Sequence, residues 1–178
     1  MPASDQGVEK QRYALIPRTL IFLTTIDHVL LLKGAAHKRL WADLYNGIGG
    51  HVEKGEDVLS AAHRELLEES NLRVENLWLC GIVTINTGQD KGVVIFIFRG
   101  DYDSIHNTEN QQEWKTRDSL EGTLEWVPLS ELLSLPLVED LPIILPRVLA
   151  AQKGAPPFFA RYSYDDLDQL VISFSEFN

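Results

Sequence analysis

Apolar residues gather in short runs of two kinds, and the difference between them predicts the elements. Tyr13 to Thr25 and Val29 to Lys33 are leucine-rich and β-branched runs broken at Asp27-His28, which predicts paired strands. Ala35 to Tyr45 follows as a loop, and Asn46 to Val52 (NGIGGHV) combines turn residues with glycines. From Asp57 to Ser70 there is no Gly or Pro. Good helix formers fill the stretch and Asp57 offers a start, so it predicts a helix. At about 100° per residue, Leu59, Ala62, Leu66 and Leu67 form one apolar arc on it. Leu72 to Asn86 and Gly92 to Arg99 read as strands. The second contains VVIFIF, a continuous run expected of a strand buried on both faces. Thr123 to Val127 adds a short strand.

Towards the C-terminus, Ser130 can cap a short helix over Glu131 to Ser134. Leu141 to Gln152 reads as the last helix despite Pro142 near its start and Pro146 within it. After a hinge at Gly154 to Pro157, Phe158 to Tyr164 and Leu170 to Phe174 flank the polar turn DDLDQ and predict a hairpin. Its alternating aromatics read as packing residues before they read as a platform for a nucleobase. The segment Asp101 to Ser119 is polar and long for a compact domain, as a lid or a disordered loop would be. A flexible N-terminus over 1–12 and one domain over 13–178 complete the expected organisation.

The helix carries the chemistry. Glu65, Glu68 and Glu69 fall in an arc about 100° wide next to the apolar one, with Glu65 related to the others at i,i+3 and i,i+4. Like charges at these spacings each destabilise a helix by roughly 0.2–0.5 kcal/mol, and within the helix only Arg64 offers obvious relief. A hard divalent cation neutralises such a set, because Mg²⁺ takes oxygen ligands from few carboxylates and fills its remaining positions with water and phosphate. Taken alone, the pair Glu68-Glu69 fits a solvated acidic face equally well.

The residues upstream shift that balance. Gly50, Glu56, Arg64-Glu65, Leu66, Glu68-Glu69 and Leu72 resemble the Nudix box, Gly-x5-Glu-x7-Arg-Glu-U-x-Glu-Glu-x-Gly-U, where U is a bulky aliphatic. The departure is Asn71 in place of the last glycine. Asn is the residue that best tolerates the left-handed backbone such a glycine would adopt. The resemblance implies an α+β fold, a Nudix-type α/β/α sandwich with a mixed β-sheet flanked by helices, extended by the C-terminal hairpin. It also implies hydrolysis of a nucleoside diphosphate linked to another group, with Mg²⁺ or Mn²⁺ as cofactor. By position, Glu68 and Glu69 would be metal ligands and Glu65 a further ligand or the base that activates water. Arg64 would be a scaffold pairing with Glu56, and Gly50 would bring its carbonyl to the metal. Which glutamate is the base stays open.

Composition narrows the class further. The chain has 178 residues, 44% of them hydrophobic, enough for one domain with a real core but short for two. A net charge of -10 argues against binding a nucleic-acid polymer, which favours a basic surface. Cys80 is the one cysteine and lies in an apolar run, so a buried thiol, no intrachain disulfide and a cytoplasmic, reducing location are expected. No apolar segment has the length to span a bilayer, and MPASDQGVEKQR lacks a signal-peptide core. His-Glu-x-x-His, a cysteine ligand set, Gly-x-Ser-x-Gly and Walker A patterns are all missing.

Substrate choice must come from outside the box. The segment WADLYNGIGGHVEKGE resembles the MutT-like branch that hydrolyses oxidised purine nucleoside triphosphates, and LVEDLPIILP (137–146) occupies the place of that branch's acidic pair. Glu139 and Asp140 could accept from the donor-rich edge of a guanine, and Asn46 could contact the opposite edge. The plainer readings are that Asn46-Gly47 is a turn and that Asp140 caps the following helix. Lys33, His37, Lys38 and Arg39 form a basic cluster able to meet outer phosphates or simply to be solvated. Glu121 lies where family members often place an extra metal-site carboxylate. A small nucleoside diphosphate derivative is therefore the expected partner, with a purine triphosphate first. ADP-ribose or a dinucleoside polyphosphate is the alternative substrate, and a non-catalytic nucleotide sensor is the alternative class.

Overall fold

The computed structural model describes residues 2, 7, 12–37, 40–102, 117–118 and 121–175. Chain order is β1 (Ala14–Thr24), β2 (His28–Gly34), β3 (Tyr45–Asn46), α1 (Val58–Ser70), β4 (Trp78–Ile85), β5 (Lys91–Asp101), β6 (Arg117–Asp118), β7 (Gly122–Pro128), α2 (Leu141–Ala150), β8 (Phe158–Tyr164) and β9 (Leu170–Phe174). Among the described residues these strands form one mixed sheet in the order β6-β7-β2-β1-β5-β4-β8-β9, with β3 on β2. No described helix is long and apolar enough to cross a membrane.

The sheet opens where the sequence predicts a plain hairpin. β1 and β2 meet only at Thr24↔Val29 and then diverge, while β1 runs parallel to β5 from Ala14↔Lys91 to Thr24↔Asp101. The opening is filled by the glycine-rich segment. β3 first pairs with β2 at Leu32↔Asn46, and the chain then crosses to β1. There Ile21 and Ile48 exchange backbone hydrogen bonds, 2.6 Å from Ile21 N and 3.1 Å from Ile48 N, and Thr19 N–H donates to Gly50 O at 2.9 Å. Gly49, at φ 155°, permits this crossing, because a Cβ there would overlap the Thr19 carbonyl.

Alternation along β1 sends Ile21 and Leu23 into one core with Ala62 and Leu66 of α1, and Phe22 into the other with Leu141, Ile144 and Val148 of α2. The helices thus cover opposite faces, giving the expected α/β/α sandwich. β8 and β9 form the expected hairpin, which extends the sheet by pairing β8 parallel to β4. Cys80 is a free, buried thiol that desolvation pushes up to about 12.

Several local expectations need correction. α1 buries Ala61, Ala62, Leu66 and Ser70, whereas Leu59 is 40% exposed and Leu67 only half-buried. The buried face is centred on the two alanines and Leu66, and Glu65 and Glu69 beside it are half-buried. The segment 71–77 is a loop because Asn71 reverses the backbone, so β4 starts at Trp78. Ser130 caps nothing: the short helix is one 3₁₀ turn over Leu132–Ser134, whose N-cap is Glu131 without a side-chain bond. In VVIFIF only Ile97 and Phe98 are buried, and the first four residues are half-exposed. Of the long polar segment, 103–116 and 119 lie outside the described residues, as do most of 1–12 and both Lys38 and Arg39.

Candidate active site

The helix of the box is fixed at both ends. Asp57 accepts from Leu59 N at 2.9 Å and Ser60 N at 3.0 Å, satisfying first-turn donors that have no partner within the helix. At the other end Asn71 takes φ 58°, ψ 18°, and its N–H donates to Leu67 O at 2.8 Å. Asn thus adopts the left-handed cap that the box assigns to glycine.

Arg64 is the centre of the site. Its Nε and Nη2 donate to Glu56 at 3.2 and 2.7 Å, Nη2 to His51 O at 3.1 Å, and Nη1 to Glu65 at 2.8 Å and Glu68 at 3.3 Å. Glu56 also accepts from Glu53 N at 2.7 Å. Arg64 holds the Glu56 carboxyl below its ordinary value, aided by that backbone bond, while Glu56 and then Glu65 raise the guanidinium further. One side chain therefore ties the glycine loop, the turn at Glu53 and the acidic face of α1 together.

The three carboxylates lie at different depths. Glu65 keeps 13% of its side chain exposed and Glu68 60%, and Glu69 Oε2 is buried. Glu65 presses on the loop: a Cβ at Gly50 would fall on its carboxylate, 2.6 Å from Cδ, so any larger residue there would displace the Glu65 carboxylate. The Gly50 carbonyl accepts from Thr19 N–H, which uses one of its two lone pairs and leaves the other for a cation. Oxygen donors of this hardness suit Mg²⁺ or Mn²⁺, so the residues fit the group that the box implies. Among the described residues no three His, Cys, Asp or Glu side chains already stand at metal-ligand spacing. Arg64 draws Glu65 and Glu68 towards itself, so those carboxylates would have to turn from it to share a cation.

The residues expected to read a base come from distant parts of the chain whose neighbouring backbone pairs. Tyr45 N–H donates to Pro136 O at 2.9 Å and Val138 N–H to Tyr45 O at 3.0 Å, so segment 136–138 is clamped beside β3. That brings Asn46 to the same end of the sheet as Glu139 and Asp140. Asn46 Oδ1 accepts from Gly47 N at 2.8 Å, as a turn residue does, and Glu139 is exposed. Asp140 makes no side-chain cap on α2. Its φ of -84° and ψ of -22° are already helical, and its Oδ2 accepts from Tyr162 OH at 3.0 Å. Burial pushes the Asp140 carboxyl up, against the opposing pull of that bond.

Of the remaining candidates, Lys33 stands opposite Tyr45 in the β2–β3 pair and so belongs to the same end of the sheet as Asn46. Lys33 reaches over the Tyr45 ring, 5.8 Å from its centroid, and Tyr45 OH donates to Glu125 at 2.8 Å. Desolvation and Glu125 push the Tyr45 hydroxyl up to about 12. His37 is exposed in a turn, and Glu121 is exposed before β7 with its carbonyl accepting from Ala35 N at 3.1 Å. Sequence reasoning missed Tyr162 and Glu125. The alternation of the hairpin marks Tyr162 as an inward residue, but no local pattern names its partner.

Comparison with known proteins agrees with this geometry. The NUDIX domain model matches residues 15–148. The oxidized purine nucleoside triphosphate hydrolase of Mus musculus is 29% identical over 158 residues, covering 88% of this chain and 91% of the relative. That of Danio rerio is 32% identical over 124 residues, covering 67% and 77%. The crystal structure of a MutT protein from Bacillus halodurans superposes with a TM-score of 0.68 at 25% identity, covering 90% of this chain and 97% of that one. The chain belongs to the Nudix hydrolase family.

Proposed function

We propose that this protein is a Mg²⁺-dependent pyrophosphohydrolase that converts a purine nucleoside triphosphate, preferentially one with an oxidised base, into the monophosphate and pyrophosphate. The observation that carries the reading is the Arg64 hub, which gathers Glu56, Glu65 and Glu68 beneath the Gly50 loop. A bound cation would supply phosphoryl polarisation and a more acidic water. Glu68 and Glu69 would hold it with the Gly50 carbonyl, and Glu65, the carboxylate pressed on the loop, would be a further ligand or accept a proton from water. Net chemistry adds one water across a P–O–P bridge. The preference for a purine is supported by Asn46 and Asp140 sharing one end of the sheet, and by what the mouse and zebrafish relatives are named for.

The test is pyrophosphate and phosphate release with Mg²⁺ from 8-oxo-dGTP, dGTP, dATP, dCTP, ADP-ribose and a dinucleoside tetraphosphate. Preference for 8-oxo-dGTP supports the whole reading. Preference for ADP-ribose or the dinucleotide keeps the carboxylate roles and removes those of Asn46, Glu139 and Asp140.

A further inference from the structure

Tyr162 lies on β8, beyond residues 15–148 that match the family model, and is 3% exposed. A buried phenol hydroxyl needs a partner, and here it is Asp140 Oδ2 at 3.0 Å. The bond is directional: a phenol facing a carboxylate donates, so it favours Asp140 as an acceptor, and a carboxylate has lone pairs for more than one donor. Asp140 makes no capping bond to the first turn of α2, so apart from its own backbone N–H the phenol is the group that holds its side chain.

We infer that Tyr162 is a positioning residue for base selection, holding Asp140 in one rotamer as an obligate acceptor and so setting which purine edge the site admits. This rests on the proposed reading of Asp140. A carboxylate fixed as acceptor pairs with the 2-amino donor of a guanine-type base and leaves an adenine without that donor. Sites built around such a hydrogen bond discriminate strongly, because the wrong ligand leaves a buried polar group unpaired. Without the phenol, Asp140 can pivot or take a proton and become a donor, and the discrimination weakens. The C-terminal hairpin thereby contributes to specificity and does more than lengthen the sheet.

Tyr162→Phe keeps the ring and removes only the hydroxyl. The experiment measures kcat and KM for 8-oxo-dGTP, dGTP and dATP in the full chain, Tyr162→Phe, Asp140→Asn and the double variant. Calorimetric binding of dGMP and dAMP without metal accompanies it. The expected result is a roughly tenfold fall in the dGTP-over-dATP ratio for Tyr162→Phe, carried by KM with kcat nearly unchanged. The double variant should be no less selective than Asp140→Asn alone. An equal loss on every substrate, or a lowered thermal midpoint with the ratio intact, makes Tyr162 a packing residue and overturns the inference. A wild-type chain that prefers neither guanine nor adenine, in turnover or in monophosphate binding, overturns the reading of Asp140 itself.

Discussion

Arg64 grips Glu56 through two parallel hydrogen bonds, Nη2 to Oε1 at 2.7 Å and Nε to Oε2 at 3.2 Å, across eight residues of chain. The planar fork of the guanidinium makes this possible, and its remaining nitrogen reaches Glu65 and Glu68. Lysine carries the same charge but no fork. Arg64→Lys is therefore expected to keep the fold, seen as an unchanged circular dichroism spectrum, and to lose about 10–100-fold in kcat/KM, as when groups that orient metal ligands are removed. Full activity in Arg64→Lys would mean that charge alone suffices.

Asn71 sits at φ 58°, a conformation that costs an ordinary L-residue roughly 1–2 kcal/mol and glycine almost nothing. Asn71→Gly should leave urea stability unchanged or slightly raised, and Asn71→Ala should lower it by about 1 kcal/mol. Both should retain turnover, since the cap lies beyond the carboxylates. A destabilised Asn71→Gly would show that the Asn side chain holds the cap by its own bonds.

The box was legible because its pattern is local. Asp57, Arg64, the glutamates and Asn71 sit within one helix and its ends, where spacing in sequence is spacing in space. The helix rotation was not legible, since Leu59 looks apolar enough to bury, yet the helix buries Ala61 and Ala62 and leaves Leu59 outward. The opening between β1 and β2 is a tertiary fact too: nothing in the two apolar runs says that residues 48–51 enter between them. Asp140 before a helix looks like a cap, and the buried phenol that claims it is 22 residues away.

The Glu56 carboxyl is held below its ordinary value by Arg64. A folded-state value below the unfolded one contributes stability that is complete above the ordinary glutamate range and disappears as pH falls through the lowered folded value. Urea unfolding from pH 7 to pH 3 should thus show a steeper acid loss for the wild type than for Glu56→Gln. Parallel curves would mean that the pair adds no pH-dependent stability.

Arg99 of β5 donates from Nη1 to the carbonyls of Val148, Leu149 and Ala151, at 3.2, 2.6 and 3.2 Å, and so closes the C-terminal end of α2. A cation there also meets the negative end of the helix dipole. Arg99→Met should lower stability by about 2 kcal/mol in urea unfolding. Arg99→Lys should recover part of this, whereas equal stability of Arg99→Met and wild type would remove the cap from the account.

On the proposed reading, the acidic face of α1 would hold the cation on which hydrolysis depends. The direct measurement is Mg²⁺-dependent pyrophosphate release from 8-oxo-dGTP by the wild type beside Glu68→Gln, with thermal unfolding of both. Turnover in the wild type and its loss by several orders of magnitude in a Glu68→Gln chain that melts at the same temperature or higher is the result predicted. Equal turnover by both proteins would contradict it.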